Sequence, residues 1–275
     1  MTLIAILMGT LAAGIGSVWL AAALSFGALG RYTQHMLSLA AGALMATAFM
    51  HLLPEAFESQ AGARDLFLVL LVGLVFFFLL DKAELWHHGH EHHHPAADAG
   101  PADHDHGHGA HDHHHHGHAH AATNRPAGAW AVLAGDSVHC FGDGVLIASA
   151  FMADMRLGVI ASLAVLAHEV PHHMGDLVVL RAGTASRRAA LTKVSLAGAV
   201  TAIGGFTGYW LVDQLQDYLP FFLVVASSSF IYVALADLIP QLQKRLSARE
   251  TTAQIAWLLA GIALVTLVSG LAHAH

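Results

Sequence analysis

A run of about twenty apolar residues fits a helix that crosses the roughly 30 Å hydrocarbon core of a bilayer, and this chain repeats such runs from end to end. Of its 275 residues, 56% are hydrophobic and only 11% carry a formal charge, a balance that suits lipid as the surrounding solvent. The expected fold is an all-α membrane protein. Polar breaks divide it into eight predicted transmembrane helices, near residues 2–24, 33–53, 65–81, 128–153, 157–181, 189–212, 220–242 and 252–272. The first has no basic n-region and is longer than a secretory h-region, so it reads as a spanning helix and not a signal peptide.

The basic residues orient these helices, because short cytoplasmic loops collect Lys and Arg. With both termini extracytoplasmic, Arg31, Lys82, Arg125, Arg181, Arg187, Arg188, Lys193, Lys244, Arg245 and Arg249 fall inside, and only Arg64 and Arg156 fall outside. An odd number of helices would scatter these charges. The second helix ends Met50-His51-Leu52-Leu53-Pro54-Glu55 and the seventh ends Ala236-Asp237-Leu238-Ile239-Pro240-Gln241. These two matching ends, on helices of opposite direction, suggest the inverted-repeat plan of many transporters, in which the substrate site lies near the midplane.

The chain therefore divides into helices one to three (1–86), a loop (87–125), helices four and five (126–183) and helices six to eight (184–275). Residues 87–120 hold 16 of the 24 histidines, including His92, His93, His94 and His113, His114, His115, His116, set among Gly, Ala and Asp. Almost nothing apolar is available there to bury, so a disordered cytoplasmic loop is expected, binding transition metals weakly at many overlapping sites. The single cysteine, Cys140, excludes an intrachain disulfide. With no basic patch or nucleic-acid motif, no nucleic-acid partner is expected; the partners are metal ions and the lipid bilayer.

Two clusters of ionisable residues lie in the middle of predicted helices four and five: His139-Cys140-Phe141-Gly142-Asp143 and His168-Glu169-Val170-Pro171-His172-His173. Such residues cost several kcal/mol at membrane depth and mark ion paths or polar sites. His139 and Asp143 share one helix face by i,i+4 spacing, with Asp136 a turn earlier. His168 and His172 repeat the arrangement, and Glu169 with His173 form a second i,i+4 pair rotated by about 100°, so two adjacent metal positions are geometrically reasonable. Asp136 reads equally as a ligand, an approach carboxylate or a helix-end residue, and His51, Glu55 and Asp176 are further candidates along the metal's way in or out. Pro171 should interrupt the fifth helix and leave the Ala167 carbonyl without its usual partner, as polar cavities tolerate. Gly142 and Gly144 remove bulk beside Asp143, which would let another helix approach.

The motif pair His139-Cys140-Phe141-Gly142-Asp143-Gly144 and His168-Glu169-Val170-Pro171-His172-His173-Met174-Gly175-Asp176 resembles the ZIP (Zrt/Irt-like) divalent metal transporters, most of all their LIV-1 branch. The likeness extends over the chain, including the histidine-rich loop and His51-Leu52-Leu53-Pro54-Glu55 closing the second helix. It implies movement of Zn²⁺, or of Fe²⁺, Mn²⁺ or Cd²⁺, into the cytoplasm through a site on helices one, four, five and six. It also implies a scaffold of the other four helices, frequent assembly as a homodimer, and a metal that is cargo, with no resident cofactor. The family usually has Asn where this chain has Cys140 and Glu where it has His173, which makes the second metal position softer and less anionic. Because protons compete with metal for imidazole, transport should weaken as pH falls through the histidine range.

Two rival readings come from the same residues. His168-Glu169-Val170-Pro171-His172 fits H-E-x-x-H, the zinc-protease motif in which two His bind metal and Glu activates water, so an intramembrane metalloprotease is one. Pro171 inside the motif, the ligands on helix four and the histidine-rich loop argue against it, and the expectation is a transporter and not an enzyme. Metal exporters also carry histidine-rich cytoplasmic loops, and no physical feature encodes the direction of flux. Ala- and Gly-rich helices and the lack of an organelle signal suit the inner membrane of a bacterial cell.

Overall fold

The structure, a computed structural model, describes residues 1–25, 33–89, 127–183, 186–238 and 247–273, all helical apart from turns and ends. A chain in hydrocarbon must satisfy its backbone internally, which helices do within one segment. The described residues form eight helical rods. We number them α1 (2–25), α2 (33–57), α3 (Ala63–Gly89), α4 (Ala127–Ala153), α5 (Met155–Gly183), α6 (Arg187–Gln214), α7 (219–238) and α8 (Ala248–His273). The eight segments read from the apolar runs correspond to these rods. α3 extends past the apolar run because Lys82-Ala83-Glu84-Leu85-Trp86 continues with helix-compatible residues. The loop histidines His92, His93, His94 and His113, His114, His115, His116 lie outside the described residues.

Six rods, α1, α2, α3, α6, α7 and α8, contain stretches long and apolar enough to cross a membrane. The two others, α4 and α5, carry the ionisable clusters, whose polar residues dilute their apolar length. Leu68, Leu71, Phe76 and Leu79 on α3, and Leu196, Ile203, Phe206 and Trp210 on α6, are exposed apolar side chains. Such a surface suits lipid. Inside, Leu44 of α2, Ile147 of α4, Val165 of α5 and Phe230 of α7 meet in one buried cluster.

Among the described residues three π-helical turns widen the backbone: Ala12–Gly16 in α1, Ala48–Leu52 in α2 and Val233–Leu238 in α7. π-Helical turns appear often at functional sites. The second and third stand immediately before the matching Leu53-Pro54 and Ile239-Pro240 dipeptides, so the likeness of the two helix ends reaches their local geometry; residues 239–246 lie outside the described set.

α4 and α5 are joined through Asp154 alone, whose Oδ1 accepts from Arg156 N at 2.8 Å and from Leu157 N at 3.3 Å. This N-cap starts α5 at once. A connection this short forces the two helices to run back alongside each other, so residues equally distant from Asp154 share a level. His139 lies fifteen residues before it and His168 fourteen after, about 21–23 Å along each helix. Asp136 and His172 both lie eighteen residues away.

α4 also packs along the length of α6. A Cβ at Gly144 would run into the Thr201 carbonyl, and one at Gly204 into the Phe141 carbonyl, so the two backbones touch where both helices lack side chains. Gly142 does not take part: nothing lies within 4 Å of where its Cβ would stand. Pro171 does not interrupt α5, which continues from Met155 to Gly183 with the proline inside it.

Candidate metal centre

Three groups of ligand-type side chains converge between α4 and α5 among the described residues: His139, Asp143, His168 and Glu169; Asp136, Cys140, Glu169 and His173; and Asp136, His172 and Asp176. Within each group one ligand atom per residue lies within 4.8 Å of all the others.

The first group has the dimensions of a tetrahedral cage. His139 Nε2 lies 3.4 Å from His168 Nε2, 3.9 Å from Asp143 Oδ2 and 3.4 Å from Glu169 Oε1. His168 Nε2 lies 3.2 Å from Asp143 Oδ2 and 3.5 Å from Glu169 Oε1. Nitrogen and oxygen ligands held about 2.0–2.2 Å from a tetrahedral zinc stand about 3.3–3.6 Å apart. The observed edges bracket that range. The His139 and His168 rings meet edge-on, at 85° with centroids 5.6 Å apart.

Glu169 joins this cage to the second group. Its Oε1 faces the two histidines just described, while its Oε2 lies 3.1 Å from His173 Nε2. His173 Nε2 is also 3.5 Å from Asp136 Oδ1, and the Cys140 thiol donates to the same oxygen over 3.6 Å. A carboxylate facing two positions with different oxygens can bridge two cations. The third group follows toward the far ends of the ligand-bearing stretches: His172 Nε2 is 3.7 Å from Asp136 Oδ1 and 3.8 Å from Asp176 Oδ2. Asp136 thus belongs to two groups, as Glu169 does.

Burial sharpens the chemistry. Asp136, Asp143, His168, Glu169 and His173 are all 2% exposed or less, whereas the side chains of His139 and His172 are 30% and 38% exposed. Asp143 Oδ2, both Glu169 oxygens and His173 Nε2 are buried with no hydrogen-bond partner. Buried polar atoms normally have partners, and carboxylate oxygens and an imidazole nitrogen that converge without one make a site able to take a cation. His139 and His172 are thus the histidines of these groups that reach the surface of the helix bundle.

The structure brings Asp136, His139, Cys140, Asp143, His168, Glu169, His172, His173 and Asp176 into these groups. It divides them otherwise than helical spacing suggests: His172 stands apart from His168, with Asp136 and Asp176, and Glu169 serves two positions. His51, in the π turn of α2, and the exposed Glu55 join none of the groups. Residues with no ligand signal in the sequence also touch the groups, and one such contact comes from α1. Ser17 of α1, fully buried, places its Oγ 2.9 Å from His173 Nδ1.

The arrangement also bears on the H-E-x-x-H motif. A zinc protease needs both motif histidines on one metal, and among the described residues no group holds His168 together with His172.

Comparison with known proteins points the same way. The family described as ZIP zinc transporter matches residues 1–269. Over 142 residues the chain is 34% identical to the zinc transporter foi of Drosophila melanogaster, a match covering 51% of this chain and 20% of that protein. It is 40% identical over 111 residues to human zinc transporter ZIP4, covering 40% of this chain and 17% of that one. With human zinc transporter ZIP6 the identity is 34% over 115 residues, 42% of this chain and 15% of the relative. The chain thus spans a fifth or less of the length of these relatives.

Proposed function

Because the chain belongs to the ZIP zinc transporter family, we propose that it carries a divalent transition metal, zinc first, across the membrane into the cytoplasm through the groups between α4 and α5. The observation that carries this reading is Glu169, which turns one oxygen to each of two adjacent cages. A structural metal site closes its shell around an ion that stays. A conduit needs neighbouring shells that share ligands, so that the ion exchanges part of its coordination at each step and is never stripped bare.

The charge bias of the loops supports eight spans with both ends outside, which makes the Asp154 turn extracytoplasmic. The first cage is then the outermost of the three groups, deep in the membrane, with the second below it and Asp136, His172 and Asp176 nearest the cytoplasm. In this reading the ion loses water to two imidazoles and two carboxylates, passes across Glu169 to the second cage, and is handed by Asp136 to the third group. That last group has three ligands and a half-exposed histidine, and so leaves coordination positions for returning water. Zinc is favoured because imidazole and carboxylate at tetrahedral spacing suit it.

The test is flux. Purified protein is reconstituted in liposomes loaded with a zinc-sensitive dye, and zinc accumulation is followed for the wild type and His168→Ala. Accumulation that depends on His168 is expected. Tight zinc binding at the cages without flux in the wild type would overturn the transport reading.

A further inference from the structure

We propose that Ser17 is a positioning residue: through its hydroxyl it fixes His173 in the tautomer whose Nε2 bears a lone pair, and so makes this nitrogen a ligand of the second cage. The proposal rests on the metal-transport reading for its purpose, though not for its geometry.

One proton decides the tautomer. A serine hydroxyl has a single hydrogen and can also accept. Ser17 Oγ stands 2.6 Å from the Gly14 carbonyl oxygen, a short O–H···O distance, and a carbonyl only accepts. The hydroxyl proton is therefore committed to Gly14. The second neighbour of Oγ is His173 Nδ1 at 2.9 Å, and with the hydroxyl proton engaged this bond forms only if Nδ1–H donates to Oγ. A neutral imidazole protonated at Nδ1 carries its lone pair on Nε2.

Nε2 is where that lone pair has use. It lies 3.1 Å from Glu169 Oε2 and 3.5 Å from Asp136 Oδ1, buried and without a hydrogen-bond donor. Three acceptors facing one another form a cation site. In the other neutral tautomer Nε2–H would donate to Glu169 and withdraw both atoms from metal, and Ser17 would have to abandon Gly14 to serve Nδ1. The Gly14 carbonyl belongs to the π turn Ala12–Gly16, and the backbone there abuts α6, where a Cβ on Gly14 would meet the Gly198 carbonyl. The carbonyl that holds the serine proton is thus itself held by packing. Histidine ligands commonly give their second ring nitrogen to such a partner, whose loss lowers metal affinity by about 10–100-fold. Here the partner comes from a third helix, so α1 reaches the metal through Ser17.

Two measurements test this. In metal-free protein labelled with ¹⁵N-histidine, the imidazole signal removed by His173→Ala identifies His173; it should show a protonated Nδ1 and an unprotonated Nε2. The opposite neutral tautomer would overturn the proposal whatever the protein transports. Zinc titration then compares Ser17→Ala, Ser17→Thr, His173→Ala and the Ser17→Ala/His173→Ala pair. Ser17→Ala should weaken one of two zinc positions by about 10–100-fold and leave the other unchanged. Ser17→Thr, which keeps the hydroxyl, should restore most of the loss, and Ser17→Ala should add nothing once His173 is gone. Equal losses with and without His173, or no loss, would refute the positioning role. A wild type that binds zinc at neither position would instead refute the transport reading, with the tautomer result still standing on its own.

Discussion

Replacing Glu169 by Gln tests whether the two cages are one linked site. The side chain keeps its size and loses one negative charge that both positions share. Removing a unit charge from about 4 Å of another, at an effective dielectric of about 20, changes the interaction by about 4 kcal/mol. Each 1.4 kcal/mol is a factor of ten, so the loss is on the order of a thousandfold in metal affinity. The amide makes the two positions unequal. Its one oxygen can face His139 and His168 or it can face His173, and the NH₂ group then donates to a histidine nitrogen at the other position and occupies its lone pair. Both positions should therefore weaken at least a hundredfold in a zinc titration of purified protein, whereas Asp143→Asn should affect the first alone. Without metal no such attraction is lost and Gln keeps the size and shape of the side chain, so thermal stability should stay near that of the wild type, while the stabilisation added by zinc should shrink. Wild-type affinity at either position in Glu169→Gln would refute the bridging role.

Further outcomes follow from the same geometry. Gly144→Val should destabilise the protein by about 1–3 kcal/mol, at the upper end because the atoms it meets are α6 backbone, and a lowered unfolding midpoint in detergent would show it. Cys140→Asn should raise Mn²⁺ uptake relative to Zn²⁺, since it replaces a soft ligand candidate with a hard one; an unchanged ratio would remove Cys140 from the site. Zinc flux should decline between pH 7.5 and pH 5.5, because imidazole protonation competes with coordination, and a flat profile would contradict histidine ligation.

Much of the architecture was legible because lipid imposes a length. Apolar runs set by bilayer thickness mark the rods within several residues, and the polar clusters stand out against them. Less was legible where the backbone departs from a regular ladder. Nothing in Ala12-Ala13-Gly14-Ile15-Gly16 signals a π turn, since the same small residues serve an ordinary packed helix. Pro171 illustrates the converse: its sequence signal is for interruption, yet a missing N–H costs one hydrogen bond, and the packing of α5 against α1, α2 and α4 holds the helix through it.

For the site, residue type and i,i+4 spacing mark out most of the atoms in the three groups but cannot apportion them. Apportionment depends on the relative height of α4 and α5, and that height is set by the single-residue turn at Asp154. Given the turn, the levels follow: His139 faces His168, and Asp136 faces His172 and His173. Spacing on one helix pairs His168 with His172 because it counts one face and ignores the partner. Glu169 escapes for a related reason, since one carboxylate can serve two positions only when its oxygens point to different neighbours, a matter of rotamer and crossing angle. Ser17 lies beyond both arguments. It is 156 residues from His173 and is an ordinary helix residue by type. Its part in the site comes wholly from tertiary packing, in which small residues bring α1 close enough for a hydroxyl to reach an imidazole. The ligand-type atoms of the candidate metal site thus come from two helices, while a hydroxyl that contacts one of its imidazoles comes from a third.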